Sequence, residues 1–128
     1  MTNRLKNERG QTMTELALVL PILIVLVLAI AQFGLAFNNY VTLTDAARAG
    51  ARVGAVSRNS SSPASNCSAA VRSAAGGLTQ SNLSVSCSSP WSIGSDVTVS
   101  ASYPYSISLL GWVVATGNLN TTMTERVE

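Results

Sequence analysis

With 128 residues, of which eight are Lys or Arg and six Asp or Glu, the chain has room for one small domain beside a membrane helix. The formal net charge of +2 sits almost wholly before residue 11; beyond it five basic side chains face five acidic ones, which excludes a basic nucleic-acid surface. Histidine is absent, which removes the commonest general base and the commonest metal ligand.

Residues 1–10 carry Arg4, Lys6, Glu8 and Arg9 and end in Gly10. They read as a disordered leader, with a helix beginning near Gln11 or Thr12. Residues 16–37 hold no charged side chain. At about 1.5 Å of rise per residue, such a run crosses a hydrocarbon core of about 30 Å. The basic leader predicts an N-terminus kept inside and a chain sent outward after Phe37. Pro21 interrupts the run, removing one helical hydrogen bond. A kink is expected there, relieved by the Thr14 hydroxyl or a neighbouring helix.

Alanine-rich residues 41–56 carry the helix onward to about Ser57. Asp45, Arg48 and Arg52 share one face, a solvated or salt-bridged one. Ala47, Gly50, Ala51 and Gly54 form a strip of small residues. The Gly50-x-x-x-Gly54 spacing permits close packing, and the favoured partner is this protein's own sheet or second helix. Residues 58–65 are a Ser-rich linker containing Pro63. A second helix follows, capped by Ser65 or Asn66 and ended by Gly76-Gly77. Cys67, Val71, Ala74 and Leu78 are predicted to share its inner face.

The period then becomes two. Leu83, Val85 and Cys87 alternate with serines; Val97, Val99, Ala101 and Tyr103 alternate with Ser and Thr; Leu119, Met123 and Val127 mark a third segment. Three strands are predicted, closing as an α+β fold: a long N-terminal helix leaving the membrane, a short second helix and a small three-stranded antiparallel sheet. Residues 104–117 are the most apolar stretch outside the membrane helix, and Pro104 and Gly111 argue against a regular element throughout. They either close the core or present an apolar patch to a partner or the membrane surface. Cys67 and Cys87 both lie in the exported part on inward faces, which predicts one disulfide.

The leader lacks the small-residue cleavage site that an ordinary secretory signal places after its apolar run, where Asn38, Asn39 and Tyr40 stand instead. The unusual junction precedes the run. Cutting after Gly10 frees Gln11 as a new amino terminus and makes Glu15 the fifth mature residue. That arrangement resembles the class III signal of type IV pilins and pseudopilins. More narrowly, Gly10-Gln11-Thr12-Met13-Thr14-Glu15-Leu16-Ala17-Leu18-Val19-Leu20-Pro21 resembles the opening of TadE-like proteins, the pseudopilins of tight-adherence (Flp-type) pilus systems. Ala46-Ala47-Arg48-Ala49-Gly50-Ala51-Arg52 resembles that family's second block. Leu16 departs from it, since the family often has an aromatic there.

The resemblance implies a minor pilin or pseudopilin processed by a prepilin peptidase. Its partners would be other pilin or pseudopilin subunits, an inner-membrane assembly platform and membrane lipid, with no small-molecule substrate and no cofactor. It also implies that Glu15 pairs with the new N-terminal amine of a neighbouring subunit; the bland alternative is a solvated carboxylate at a helix start. A globular part of this size argues against the major subunit, which resembles a bare helix. The competing reading is a bitopic anchor that keeps its leader and binds an envelope partner without polymerising. An enzyme fails on inventory: two cysteines without histidine, isolated carboxylates at Asp96 and Glu125, no phosphate loop and no metal-ligand spacing.

Overall fold

The structure, a computed structural model, describes the backbone of residues 3–128 and the side chains of residues 10–128. Met1 and Thr2 of the expected leader, and the side chains of Arg4, Lys6 and Arg9, lie outside the described residues.

Helix α1 spans Asn3–Val56, 54 residues, and is about 80 Å long. It begins well before the expected Gln11 or Thr12. Asn3–Gly10 is helical rather than disordered, because Lys, Glu and Arg are good helix formers and one glycine costs only about 1 kcal/mol. The helix also runs unbroken through Pro21. The Thr14 hydroxyl does not serve that proline. It donates to the Gly10 carbonyl at 2.9 Å, one turn nearer the N-terminus.

Helix α2 spans Pro63–Ala74, starting before the expected Ser65 or Asn66 cap. Pro63 is the reason: its fixed φ suits the first helical turn, and its missing N–H is one that turn leaves unpaired anyway. Ser62 stands at the N-cap without a side-chain bond. Ala75, Gly76 and Gly77 turn the chain out of the helix. The inner face is Cys67, Val71, Ala75 and Leu78. Ala74, expected inward, is exposed, since a four-residue step from Val71 returns closer to one face than a three-residue step does here.

Strands β1 (Ser84–Ser88), β2 (Asp96–Leu109) and β3 (Trp112–Arg126) form an antiparallel sheet in the order β1-β2-β3. β1 pairs from Ser84↔Ser102 to Ser88↔Thr98. β2 and β3 pair from Asp96↔Arg126 to Leu109↔Trp112. One sheet face packs on α1 and α2 through Val97, Val99, Ala101 and Leu83. The opposite face presents Ser86, Ser100, Thr122 and their neighbours to solvent. Leu43, Ala46, Ala47 and Ala51 of α1 complete the core. Thus the last third of α1 belongs to the head, while its apolar run stands clear of it.

Residues 104–117 correct the expectation of an irregular connection. They extend β2 and β3 into a long hairpin arm. Pro104 is compatible with β2 because β1's ladder ends at Ser102, so that edge of β2 is unpaired there. Gly111 sits in the two-residue turn rather than within a strand. Leu110 (φ 52°) and Gly111 (φ 85°) both have positive φ, as the turns that match strand twist require. Gly117 lies opposite Tyr105, where an added Cβ would stand 2.9 Å from the ring; the tyrosine covers the space that glycine leaves.

Candidate functional site: the amino-terminal helix and its carboxylate

Gly10–Val56 of α1 is long and apolar enough to cross a membrane, and none of its most apolar window is buried in the protein. Leu18, Ile22, Ile30, Phe33 and Phe37, among others, are bare. A helix apolar on every side and covered on none requires a lipid or protein environment.

At the mouth of this run Glu15 is exposed. Gln11 Nε2 donates to Glu15 Oε1 at 3.1 Å, one turn apart. No basic residue occurs between Gly10 and Arg48, and Arg48 is about 50 Å farther along α1. A cationic partner from the part of the helix that follows Glu15 is therefore out of reach. Gly10 is helical and exposed, with nothing within 4 Å of where a Cβ would stand. The bond after it is accessible, but a peptidase must first unwind the helix, and glycine is where unwinding costs least.

The Gly50-x-x-x-Gly54 strip faces inward. A Cβ on Gly50 would overlap the Val71 side chain of α2, and one on Gly54 would stand 2.9 Å from Val97 Cγ1 of β2. Both glycines serve contacts within this chain. Arg48 pairs with Asp45 at 3.6 Å on the exposed face. Cys67 and Cys87 are disulfide-bonded, with Cα atoms 6.4 Å apart. The bond ties α2 to β1 in the seam between helices and sheet.

Sequence reasoning missed the hairpin arm. Beyond β1 it runs beside the membrane end of α1. A groove of about 510 Å³ separates Phe33, Phe37 and Tyr40 of α1 from Tyr105, Ile107 and Leu119 of the arm. The available signal was Gly111 between two apolar runs, but Leu110 is a poor advertisement for a turn that needs positive φ.

These features define a class: a long membrane-capable helix whose far end is built into a small α+β head. The family model described as TadE-like protein matches residues 10–52, from the junction glycine through both sequence blocks. No curated protein and no solved structure matches the chain.

Proposed function

We propose that this chain is a minor pilin-like subunit of a tight-adherence pilus, made as a precursor and cut after Gly10 by a prepilin-type peptidase. Residues 1–10 then form a cytoplasmic leader, 11–57 the membrane and stalk helix, 58–65 a linker, and 66–128 the exported head. The observation that carries this reading is Glu15: an exposed carboxylate opening a bare apolar helix, five residues past Gly10, inside the segment that matches TadE-like proteins. An ionised carboxylate at a bilayer centre costs on the order of 3 kcal/mol, less toward its edge. It needs a partner, and residues 11–56 of this helix, which remain after such a cut, supply no cation within reach. The freed amine of a neighbouring subunit is the partner that the pilin resemblance implies. Such a subunit sits in the inner membrane with its head outside, starting or capping a filament or coupling it to the assembly platform.

One observation favours the competing anchor reading: α1 continues without a break from Asn3 through Gly10, so an uncut leader would be structurally continuous with the stalk. Mass measurement of the N-terminus, in cells with and without the prepilin peptidase, separates the two. A mature start at Gln11 only when the peptidase is present supports the pilin subunit. An intact Met1 in both supports the anchor.

A further inference from the structure

The β2–β3 arm lies on a part of α1 that a bilayer would also claim. Val97 packs beside Gly54, whereas Ile107 lines one groove with Phe33 and Phe37, so β2 descends α1 toward its N-terminus. Leu110 is three residues past Ile107, about 10 Å at strand rise, which matches about seven residues of helix. The hairpin tip therefore stands level with about residue 28, near the middle of the apolar run of residues 16–37. Two requirements collide there. Ile30, Phe33, Leu35 and Phe37 remain 64%, 64%, 63% and 68% exposed with the arm in place. In water they would be a large bare apolar patch, so the bilayer has to reach Phe37. Yet β2 has no partner beyond Ser102 on its β1 side, and hydrocarbon does not tolerate unpaired backbone groups. Arm and bilayer cannot both hold residues 28–37.

The arm is weakly held where it meets the helix. β1 supports β2 only as far as Ser102; beyond it the hairpin has two strands, which are marginal by themselves. Of the described residues 103–120, Ile107 alone is buried. The register shift after Ile107 pairs Ile107 with Ala115 but Ser108 with Val113. Val114 is the extra residue, so the inward–outward alternation fails past that point, and Leu110, Trp112, Val113 and Val114 are bare. Cavities of about 700 Å³ and 510 Å³, both lined by Ala36 and Tyr105, lie between arm and helix. No Asp, Glu, Lys or Arg occurs between Asp96 and Glu125, so no ion pair fastens the arm. Segments with so few buried contacts open at the least cost. We propose that the arm is a latch that competes with the bilayer for residues 28–37 of α1. It is shut when that stretch stands clear of lipid, as in this structure. It swings off, pivoting about the Ser102 and Asn120 pair, when the bilayer takes the run as far as Phe37. The depth of the stalk helix and the position of the arm are thereby coupled: withdrawing α1 from lipid lets Ile107 seat beside Phe33 and Phe37.

This inference rests on the reading that α1 spans a bilayer, and the experiment separates the two. A full-length Asn38→Cys/Thr116→Cys variant, its native cysteines left in their disulfide, is spin-labelled at the two new thiols, one on α1 and one on the arm. It is reconstituted in vesicles of dimyristoleoylphosphatidylcholine, which are thin, or dierucoylphosphatidylcholine, which are thick, and the label separation is read by double electron–electron resonance. A thicker hydrocarbon core takes in more of the helix. The short separation of the shut arm should dominate in the thin bilayer. In the thick one its share should fall several-fold, with a longer separation in its place. Adding Ile107→Ser, which removes the buried side chain, should give the long separation in both. One short separation in both bilayers, in protein that resists alkaline extraction, overturns the latch alone, because the arm then stays on the helix whatever the lipid. The long separation in both with Ile107 intact overturns it too, as does an Ile107→Ser protein that behaves like its parent. Alkaline extraction of the whole protein overturns both readings.

Discussion

Gly54 lies against Val97 so closely that a Cβ on the glycine would stand 2.9 Å from the valine methyl, and Gly50 meets Val71 more tightly still. These contacts set the stalk helix directly on the sheet and on α2. Alanine at Gly50 gains about 1 kcal/mol of helix propensity. It also forces Val71 off its rotamer within a core where overpacking costs about 1–3 kcal/mol. Gly50→Ala should therefore lower the head's melting temperature. Gly34→Ala, at a position with open space around it, should not. Equal behaviour of the two variants in thermal denaturation would refute the close-packing role.

The disulfide supplies a second prediction. It closes a loop with a sequence separation of 20, worth roughly 3 kcal/mol on the chain-entropy estimate. The head's core is small and rich in alanine, and small cores are marginal. A Cys67→Ser/Cys87→Ser double variant should melt markedly lower and be cut faster by added protease, with processing at Gly10 unchanged. Unaltered protease resistance would show that the remaining core suffices.

Much of this architecture was legible because two periods are written plainly in the chain. Val97, Val99 and Ala101 alternate with small polar residues, and Cys67 and Val71 recur at a helical step; all five are buried. The apolar run and the small-residue strip were readable for the same reason. Elsewhere a local backbone property outweighed the pattern. Pro63 started α2 early, because φ at the first turn matters more there than a capping hydroxyl. Ala74 gave way to Ala75, two identical side chains that no hydrophobic pattern can rank. The hairpin arm was hidden because its turn uses Leu110 at positive φ and its bulge at Val114 breaks alternation where a strand would be recognised. Of the candidate site, Glu15 and Gly10 were visible from residue type and spacing. The helical state of the leader was not, since a charged segment of good helix formers reads equally as a solvated tail.

That helical leader shapes a third prediction. Cleavage after Gly10 needs the helix opened locally, and glycine is the residue most easily unwound. Gly10→Leu should block processing twice over, by filling the peptidase's approach and by stiffening the helix by about 1 kcal/mol. Gly10→Ala should be cut more slowly but still be cut. The measurement is the precursor-to-mature ratio on a denaturing gel, with the N-terminal residue identified by mass. Normal cleavage of the Leu variant would place the processing site elsewhere.

The last prediction separates an assembly carboxylate from a solvated one. Glu15 opens the apolar run, bonded only one turn back, by Gln11, among the interactions described. If it merely rests among headgroups, replacing it with leucine removes a small cost of insertion and a helix-start interaction of about 0.3–1 kcal/mol; assembly is then unchanged. If it pairs with a neighbour's amine at the edge of the hydrocarbon, Glu15→Leu leaves that amine buried without a counter-charge, the more costly defect. Leucine is close in size and easier to bury, so failed insertion does not explain a loss. The variant should fractionate with membranes, be cleaved after Gly10, and yet fall at least about tenfold in the assembled fraction, which corresponds to only 1.4 kcal/mol. Glu15→Asp, which keeps the charge on a shorter arm, should recover part of it. Quantitative blotting of sheared filaments against the membrane pool reads both variants. Wild-type incorporation of the Leu form would leave Glu15 as a solvated residue and remove the carboxylate from the assembly contact.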